Sequence, residues 1–188
     1  MVMNPPGLDE ISAKIMSLVE EQVDIKQPLR PDAPLMKELG FDSLDLIETS
    51  FTLQEFFGFE FSDKNAIEEL EEVLGDGSII KDHQITALGR EMIFRRMPEL
   101  KKVALPEELN PMELQQFYTI ETFARLIREF YLHAPDQCPA TGEAVAVEGF
   151  KIVSAQSRQP VEAPTGDALI TAWAEKTAAD LRKNAPPA

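Results

Sequence analysis

The fold of this chain is decided by the stretch Glu38-Leu39-Gly40-Phe41-Asp42-Ser43-Leu44-Asp45-Leu46-Ile47-Glu48. Asp42 and Ser43 are both residue types that cap helices, Gly40 gives a flexible approach, and apolar residues follow at once. A helix is therefore predicted to begin here, with unpaired backbone N–H groups at its start. Those N–H groups and the helix dipole favour a phosphate ester on the Ser43 side chain. The stretch indicates an attachment site and not a catalytic one.

The predicted helix over residues 43–57 separates apolar from acidic residues when it is projected at about 100° per residue. The apolar set comprises Leu44, Ile47 and Phe51, with Leu46, Leu53 and Phe57 beside them. The acidic set on the opposite side comprises Asp45, Glu48 and Glu55. One side of this helix is expected to pack in the core, while the other carries charge to solvent.

A longer pattern around this helix resembles the prosthetic-group site of acyl carrier proteins: Leu35-x-x-x-Leu39-Gly40-Phe41-Asp42-Ser43-Leu44-Asp45-x-x-Glu48. The next segment, residues 56–61, is similar to that family's aromatic-Gly-x-x-Ile-Pro segment, with Phe61 and Ser62 in the last two places. In the family the serine of Asp-Ser-Leu receives 4′-phosphopantetheine, and the matching residue here is Ser43. The resemblance implies cofactor binding by Ser43, Asp42 and Leu44. It implies partner binding by Asp45, Ile47, Glu48 and Glu55.

This resemblance implies a carrier and not an enzyme. Such a carrier holds acyl intermediates as thioesters on the 4′-phosphopantetheine arm at Ser43, for fatty acid, specialised lipid or polyketide biosynthesis. The implied partners are a phosphopantetheinyl transferase and acyl-loading, synthase and acyltransferase enzymes with basic docking patches. Two alternatives stay open. One is a peptidyl or aminoacyl carrier, whose sites resemble Gly-Gly-x-Ser-Leu more closely, and the other is an acidic protein-binding module in which Ser43 stays unmodified.

The charge of the chain is strongly negative, and it is unevenly distributed. The formal net charge is −15, and residues 1–78 hold 18 acidic against 5 basic residues, a local balance of −13. Nucleic acid is therefore an unfavourable partner, because binding phosphates needs positive charge. Basic protein surfaces are the expected partners, through charge complementarity.

The composition gives no indication of a membrane span, a disulfide framework or a metal site. No apolar run reaches the roughly 18 residues that a span needs, and the amino-terminal region lacks a basic segment followed by an apolar one. A cytoplasmic location is the expectation. Cys138 is the single cysteine, and His83 and His133 are the only histidines, so no usual ligand spacing occurs.

The apolar spacing predicts an all-α fold, an acyl-carrier-like helical bundle over residues 1–134. A first helix is predicted over residues 8–23, and a proline-rich loop over residues 27–34 separates it from the Ser43 helix. A short acidic helix follows over residues 63–74 and ends at Gly75-Asp76-Gly77. The last helix of the family pattern is predicted to begin at Thr119.

About forty residues, 78–118, have no place in the minimal family pattern. Apolar residues repeat there at helical spacing: Ile85, Leu88, Met92, Ile93, Phe94 and Met97. An inserted helical hairpin is predicted between the third and last family helices. Its apolar residues either complete the core, or line a wider acyl cavity or a docking groove.

Residues 135–188 are predicted to be a linker and a C-terminal extension. Their composition shifts to Ala, Pro, Gly, Thr and Gln, with a weak hairpin signal around Gly149. A terminal helix is predicted over residues 167–183. Trp173 on this helix needs a surface to cover it, which is this domain, a second copy of the chain or a partner enzyme.

Overall fold

The computed structural model describes residues 4–23, 27–75 and 77–184. Asp76, in the middle of the predicted break after the third helix, lies outside the described residues. The α-helices are α1 (Leu8–Gln22), α2 (Ser43–Phe57), α3 (Ala66–Leu74), α4 (Ala87–Arg96), α5 (Ile120–His133) and α6 (Gly166–Asn184). Two 3-10 helices span Pro98–Lys102 and Pro111–Phe117. The strands are β1 (Ile80–Lys81), β2 (Gln84–Ile85), β3 (Val145–Glu148) and β4 (Lys151–Ser154).

The helix starts follow from side-chain caps. Asn65 accepts a hydrogen bond from the backbone of Ile67 and begins α3, three residues later than the acidic pattern suggested. Thr119 begins α5 as predicted, since its hydroxyl accepts from the Thr122 backbone and the Thr122 hydroxyl accepts from the Thr119 backbone. Gly58 ends α2 in the left-handed conformation with φ 78°, which glycine adopts without a steric cost.

A first hydrophobic core is formed by α1, α2, α5 and the β3–β4 hairpin. Its centre is aromatic: the rings of Phe59 and Phe130 stack at 4.7 Å, and Tyr131 meets Phe59 edge-on at 4.9 Å. The buried Tyr131 hydroxyl donates to the carbonyl of Phe150 at 2.7 Å, so the hairpin is fixed to α5 by a satisfied polar group.

The proline-rich loop before α2 is packed onto this first core. Leu29 and Leu35 are buried in it. The Leu35 N–H donates to the Tyr118 carbonyl at 2.9 Å, and the Glu121 N–H donates to the Pro31 carbonyl at 2.9 Å. The loop therefore spans from the beginning of α5 to the beginning of α2.

A second hydrophobic core joins α3 to the inserted segment and to α6. Its buried members include Ile67 and Leu70 from α3, Met92 and Ile93 from α4, and Ala174 and Ala178 from α6. Trp173 packs against this core, so the surface that covers it belongs to the same chain.

Gly166 begins α6 in close contact with the backbone of Phe61 and Ser62, where an added Cβ would collide. The division of the chain at residue 134 stays a prediction.

The all-α expectation is not confirmed, because the described residues include two antiparallel hairpins. In the first, Ile80 pairs with Ile85 and the turn residues Asp82 and His83 have φ of 50° and 62°. In the second, Val145 pairs with Ser154, in agreement with the weak hairpin signal around Gly149. The inserted helical hairpin is not confirmed either, since the segment holds one α-helix, two 3-10 helices and the β1–β2 hairpin.

The loop between α3 and β1 is held by one carboxylate. Glu71 accepts backbone hydrogen bonds from Ile79 at 2.5 Å and from Ile80 at 3.1 Å, and it also accepts one from Gly77. Burial opposes ionisation of this group, but these hydrogen bonds outweigh it and lower the pKa of Glu71. The ionised carboxylate thus fixes where the inserted segment leaves α3.

Met92 and Met112, both in the inserted segment, give a matched pair for testing the second core. Met92 is fully buried, whereas Met112 is 68% exposed. Met92→Ala is expected to lower the free energy of unfolding by roughly 2–5 kcal/mol, because it leaves a cavity in a packed core. Met112→Ala should change it by less than about 0.5 kcal/mol. Denaturant unfolding of both variants measures this, and equal small losses would contradict a packed second core.

Candidate attachment site at Ser43

The approach to Ser43 is fixed by the residues just before it. Phe41 is buried, and its N–H donates to the carbonyl of Leu35 at 3.1 Å. Gly40 has φ 81°, a conformation that favours glycine, and it turns the chain from the loop toward α2. The next two residues, Asp42 and Ser43, therefore emerge at the surface at the helix start.

Asp42 is the residue that caps α2. Its Oδ1 accepts from the N–H of Leu44 at 2.8 Å and of Asp45 at 3.0 Å, and the Asp45 Oδ2 accepts from the Asp42 N–H at 2.8 Å. The sequence predicted unpaired N–H groups at this helix start, but Asp42 accepts hydrogen bonds from two of them. Ser43 is the first residue of the helix and is exposed. Its hydroxyl makes no hydrogen bond within the described part of the chain, which leaves it available for modification.

The outer surface of α2 is both apolar and acidic. Leu44, Ile47 and Phe51 are 59%, 51% and 66% exposed. The helix packs instead through Leu46, Thr49, Leu53 and Phe57. The expectation that Leu44, Ile47 and Phe51 share the packed side was therefore wrong, because an apolar arc this wide exceeds what the first core covers.

The predicted acidic residues differ in their surroundings. Glu48 and Glu55 are exposed, whereas Asp45 is half-buried and its carboxylate is occupied in the cap. Near the other end of the helix, the Lys151 ammonium donates to the carbonyls of Glu55 and Phe56. The acidic surface nearest Ser43 consequently depends on Glu48.

A cleft of about 580 Å³ includes Ser43 in its lining. One wall is the outer part of α2, with Leu46, Ile47 and Phe51. Residues 61–68 and α5 also line it, and the inserted segment contributes Met97, Met112, Leu114 and Tyr118. Met92 and Phe94 are absent from this lining and pack in the second core. The inserted segment therefore uses one set of residues in the core and another set in the cleft.

Sequence reasoning missed four charged residues that lie beside this cleft. Arg125 Nε donates to Glu99 Oε2 at 2.7 Å, and Arg96 Nη2 donates to Glu129 Oε2 at 3.2 Å. The Glu99 side chain is 1% exposed and that of Arg96 is 8% exposed. A sequence signal was present, because charged residues of both signs occur within the apolar patterns of the inserted segment and α5. Where such charges are buried, they have to be paired.

No helix in the described ranges combines the length and apolar content that a membrane crossing requires. Among those same residues, no cluster of His, Cys, Asp and Glu side chains could hold a metal ion.

Residues 13–74 match the family model of the phosphopantetheine attachment site. This part of the chain is thus a domain that carries a covalently attached 4′-phosphopantetheine group. The exposed, unpaired Ser43 hydroxyl at a helix start fits a phosphate ester, and the adjacent cleft gives space beside it.

Acyl carrier proteins from three strains of Helicobacter pylori are similar to this chain. Each is 34% identical over 68 residues, which is 36% of this chain and 82% of the relative. The chain belongs to the acyl carrier protein family. No solved structure gives a significant match. The family model ends at residue 74, so the inserted segment and α6 lie beyond it.

The roles of the two cap-type residues can be separated by substitution. Asp42→Ala is expected to lower the free energy of unfolding by about 1 kcal/mol, since it removes the acceptor for two N–H groups. Ser43→Ala should leave the stability unchanged to within about 0.5 kcal/mol, because its hydroxyl is exposed and unpaired. Thermal or denaturant unfolding compares the two, and a larger loss for Ser43→Ala would contradict the cap assignment.

Proposed function

We propose that this protein carries acyl groups for fatty acid, specialised lipid or polyketide biosynthesis, with the 4′-phosphopantetheine arm attached to Ser43. When bound, the arm supplies a terminal thiol that holds the acyl group as a thioester. The observation that supports Ser43 most directly is its exposed, unpaired hydroxyl at the first position of α2, within the segment that matches the family model. The protein acts as a substrate of other enzymes and performs no chemistry of its own.

Asp42 and Asp45 keep Ser43 in this position. Their reciprocal hydrogen bonds fix the first turn of α2, so the hydroxyl is presented in one place to a transferase. Because Asp42 takes the Leu44 and Asp45 N–H groups, the dipole of α2 is the main remaining feature that favours a phosphate there. Leu44 follows with its side chain exposed and can contact the transferase directly.

The exposed surface of α2 suits transient docking to basic enzymes. Glu48 and Glu55 provide negative charge, and Leu44 and Ile47 provide a small apolar contact beside it. Charge complementarity raises the association rate, while the modest apolar area keeps the complex short-lived. The proposed partners are the phosphopantetheinyl transferase and acyl-loading, synthase and acyltransferase enzymes with basic patches.

The cleft favours an acyl cargo over the other two candidates. It includes Ser43, and its lining contains apolar side chains from α2 and the inserted segment, among them Ile47, Phe51 and Met112. Burial of an alkyl chain is favourable by about 0.8 kcal/mol per methylene, so the cleft can shield an acyl group between visits to enzymes.

Attachment at Ser43 is tested by intact mass after incubation with a phosphopantetheinyl transferase and coenzyme A. The wild type is expected to gain the mass of one arm, Ser43→Ala to gain none, and the control Ser50→Ala on the same helix to gain one. A wild type of unchanged mass would support the unmodified binding module. The cargo found on protein isolated from its source distinguishes acyl from aminoacyl carriers.

Docking through the acidic surface is tested with Glu48→Lys. This variant is expected to be modified more slowly through a lower association rate, and the deficit should shrink at high salt because exposed charges are screened. Glu175→Lys, the same change at an exposed position of α6, is the matched control and should react like the wild type. Equal rates for both variants at low salt would argue against electrostatic recognition by α2.

A further inference from the structure

Arg96, the last residue of α4, is a buried cation in the lining of the cleft. Its side chain is 8% exposed. One end-nitrogen, Nη2, donates to Glu129 Oε2 at 3.2 Å, and the guanidinium carbon lies 4.7 Å from the centre of the Trp173 ring. The other end-nitrogen, Nη1, is buried and has no hydrogen-bond partner among the described residues.

An unpaired N–H group on a buried guanidinium is costly, and the cost is removed only by an acceptor. The side chain is held in its place from two sides, by the Glu129 carboxylate and by the Trp173 ring. Arg96 is therefore a donor held in place with both N–H groups of Nη1 unpaired within the described ranges, in a cleft whose lining mixes apolar side chains with polar and charged ones.

The charges around Arg96 indicate what kind of acceptor suits it. Glu129 already neutralises Arg96, and the other arginine in the lining, Arg125, is paired with Glu99. A carboxylate on a ligand would add an unbalanced negative charge beside Glu129 in a poorly solvated place. A neutral oxygen accepts the hydrogen bond without that penalty.

Tyr118 adds a second polar group to the same lining. Burial raises the pKa of its hydroxyl, and the nearby charge of Arg96 only partly offsets this. The hydroxyl is thus neutral at physiological pH and can donate or accept a hydrogen bond. Together with Arg96 it adds hydrogen-bonding capacity to the lining of the cleft.

We propose that Arg96 binds a neutral oxygen substituent, a hydroxyl or keto group, on the acyl chain carried by Ser43. The inference rests on the proposed function, because an acyl chain would have to be attached at Ser43 to reach Arg96, which lines the same cleft. Both Arg96 and its support Trp173 lie beyond the segment that matches the family model. The inserted segment and α6 would therefore select the cargo.

The test loads the full chain directly from acyl-coenzyme A with a transferase, and intact mass confirms loading. One cargo is a plain saturated chain, and the others have the same length with a hydroxyl or keto group near the thioester, at mid-chain or near the end. At least one oxygenated chain is expected to hydrolyse more slowly than the plain chain, by about tenfold for a hydrogen bond to a charged donor. That chain should also raise the unfolding temperature more, because it binds only the folded state.

Arg96→Met should abolish the difference between oxygenated and plain chains while keeping most of the contact with Trp173. Arg96→Lys, which keeps the charge, serves if the methionine variant folds poorly, and it should weaken the difference. The control is Arg95→Met, since Arg95 is exposed and pairs with Glu91 on the outer side of α4; it should behave like the wild type.

Three outcomes would overturn this inference. The first is equal protection of all chains in the loaded wild type. The second is a preference for oxygenated chains that persists in Arg96→Met. The third is that Arg96→Met lowers the protection of plain and oxygenated chains equally, which would mean that Arg96 binds an oxygen of the arm and not one of the acyl chain. A wild type that gains no mass refutes the proposed function itself, and this inference with it, so the two failures are distinguishable.

Discussion

The reciprocal hydrogen bonds between Asp42 and Asp45 are the constraint on which the site depends. They define the first residue of α2, and that residue is Ser43. If the helix began one residue later, Ser43 would lie outside it and its side chain would point elsewhere, whereas Leu44 and Ile47 would keep their outward direction because Leu46 and Leu53 hold the helix in the first core. The cap thus fixes the direction of the Ser43 hydroxyl, while core packing fixes the surface of α2 that lies exposed beside it.

The cleft exists because α2 and α3 belong to different cores. The first core holds α2 through Leu53 and Phe57, whereas α3 turns Ile67 and Leu70 toward α4 and α6. Tyr118 contacts both cores and lies in the cleft lining. The space beside Ser43 is therefore bounded on one side by the family segment and on the other by elements that the family model does not include.

The sequence predicted the local features of the site and fewer of its tertiary ones. Capping by Asp42, the end of α2 at Gly58 and the start of α5 at Thr119 follow from short-range chemistry, which a pattern reveals directly. Which part of a wide apolar arc packs is set by neighbouring helices, so the exposure of Leu44 and Phe51 was not predictable from spacing. The β1–β2 hairpin was missed because Asp82-His83 is a rare pair for a turn with positive φ at both residues.

The buried charges favour an interpretation of the inserted segment and α6 as part of the site, and not only as packing for the second core. A second core needs only apolar contacts, and Met92, Ile93 and Ala174 supply them. Arg96 and Glu99 add nothing to such a core that a leucine would not provide at lower cost, since burying a paired charge is at best close to neutral for stability. Arg96 lies in the cleft lining with both N–H groups of Nη1 unpaired in the part of the chain that the structure describes, which supports the proposed role in binding over a role in core packing alone. On that proposal, the selection of cargo and the stability of α3 are coupled, because the same α4 and α6 that bury Ile67 also hold Arg96 in place.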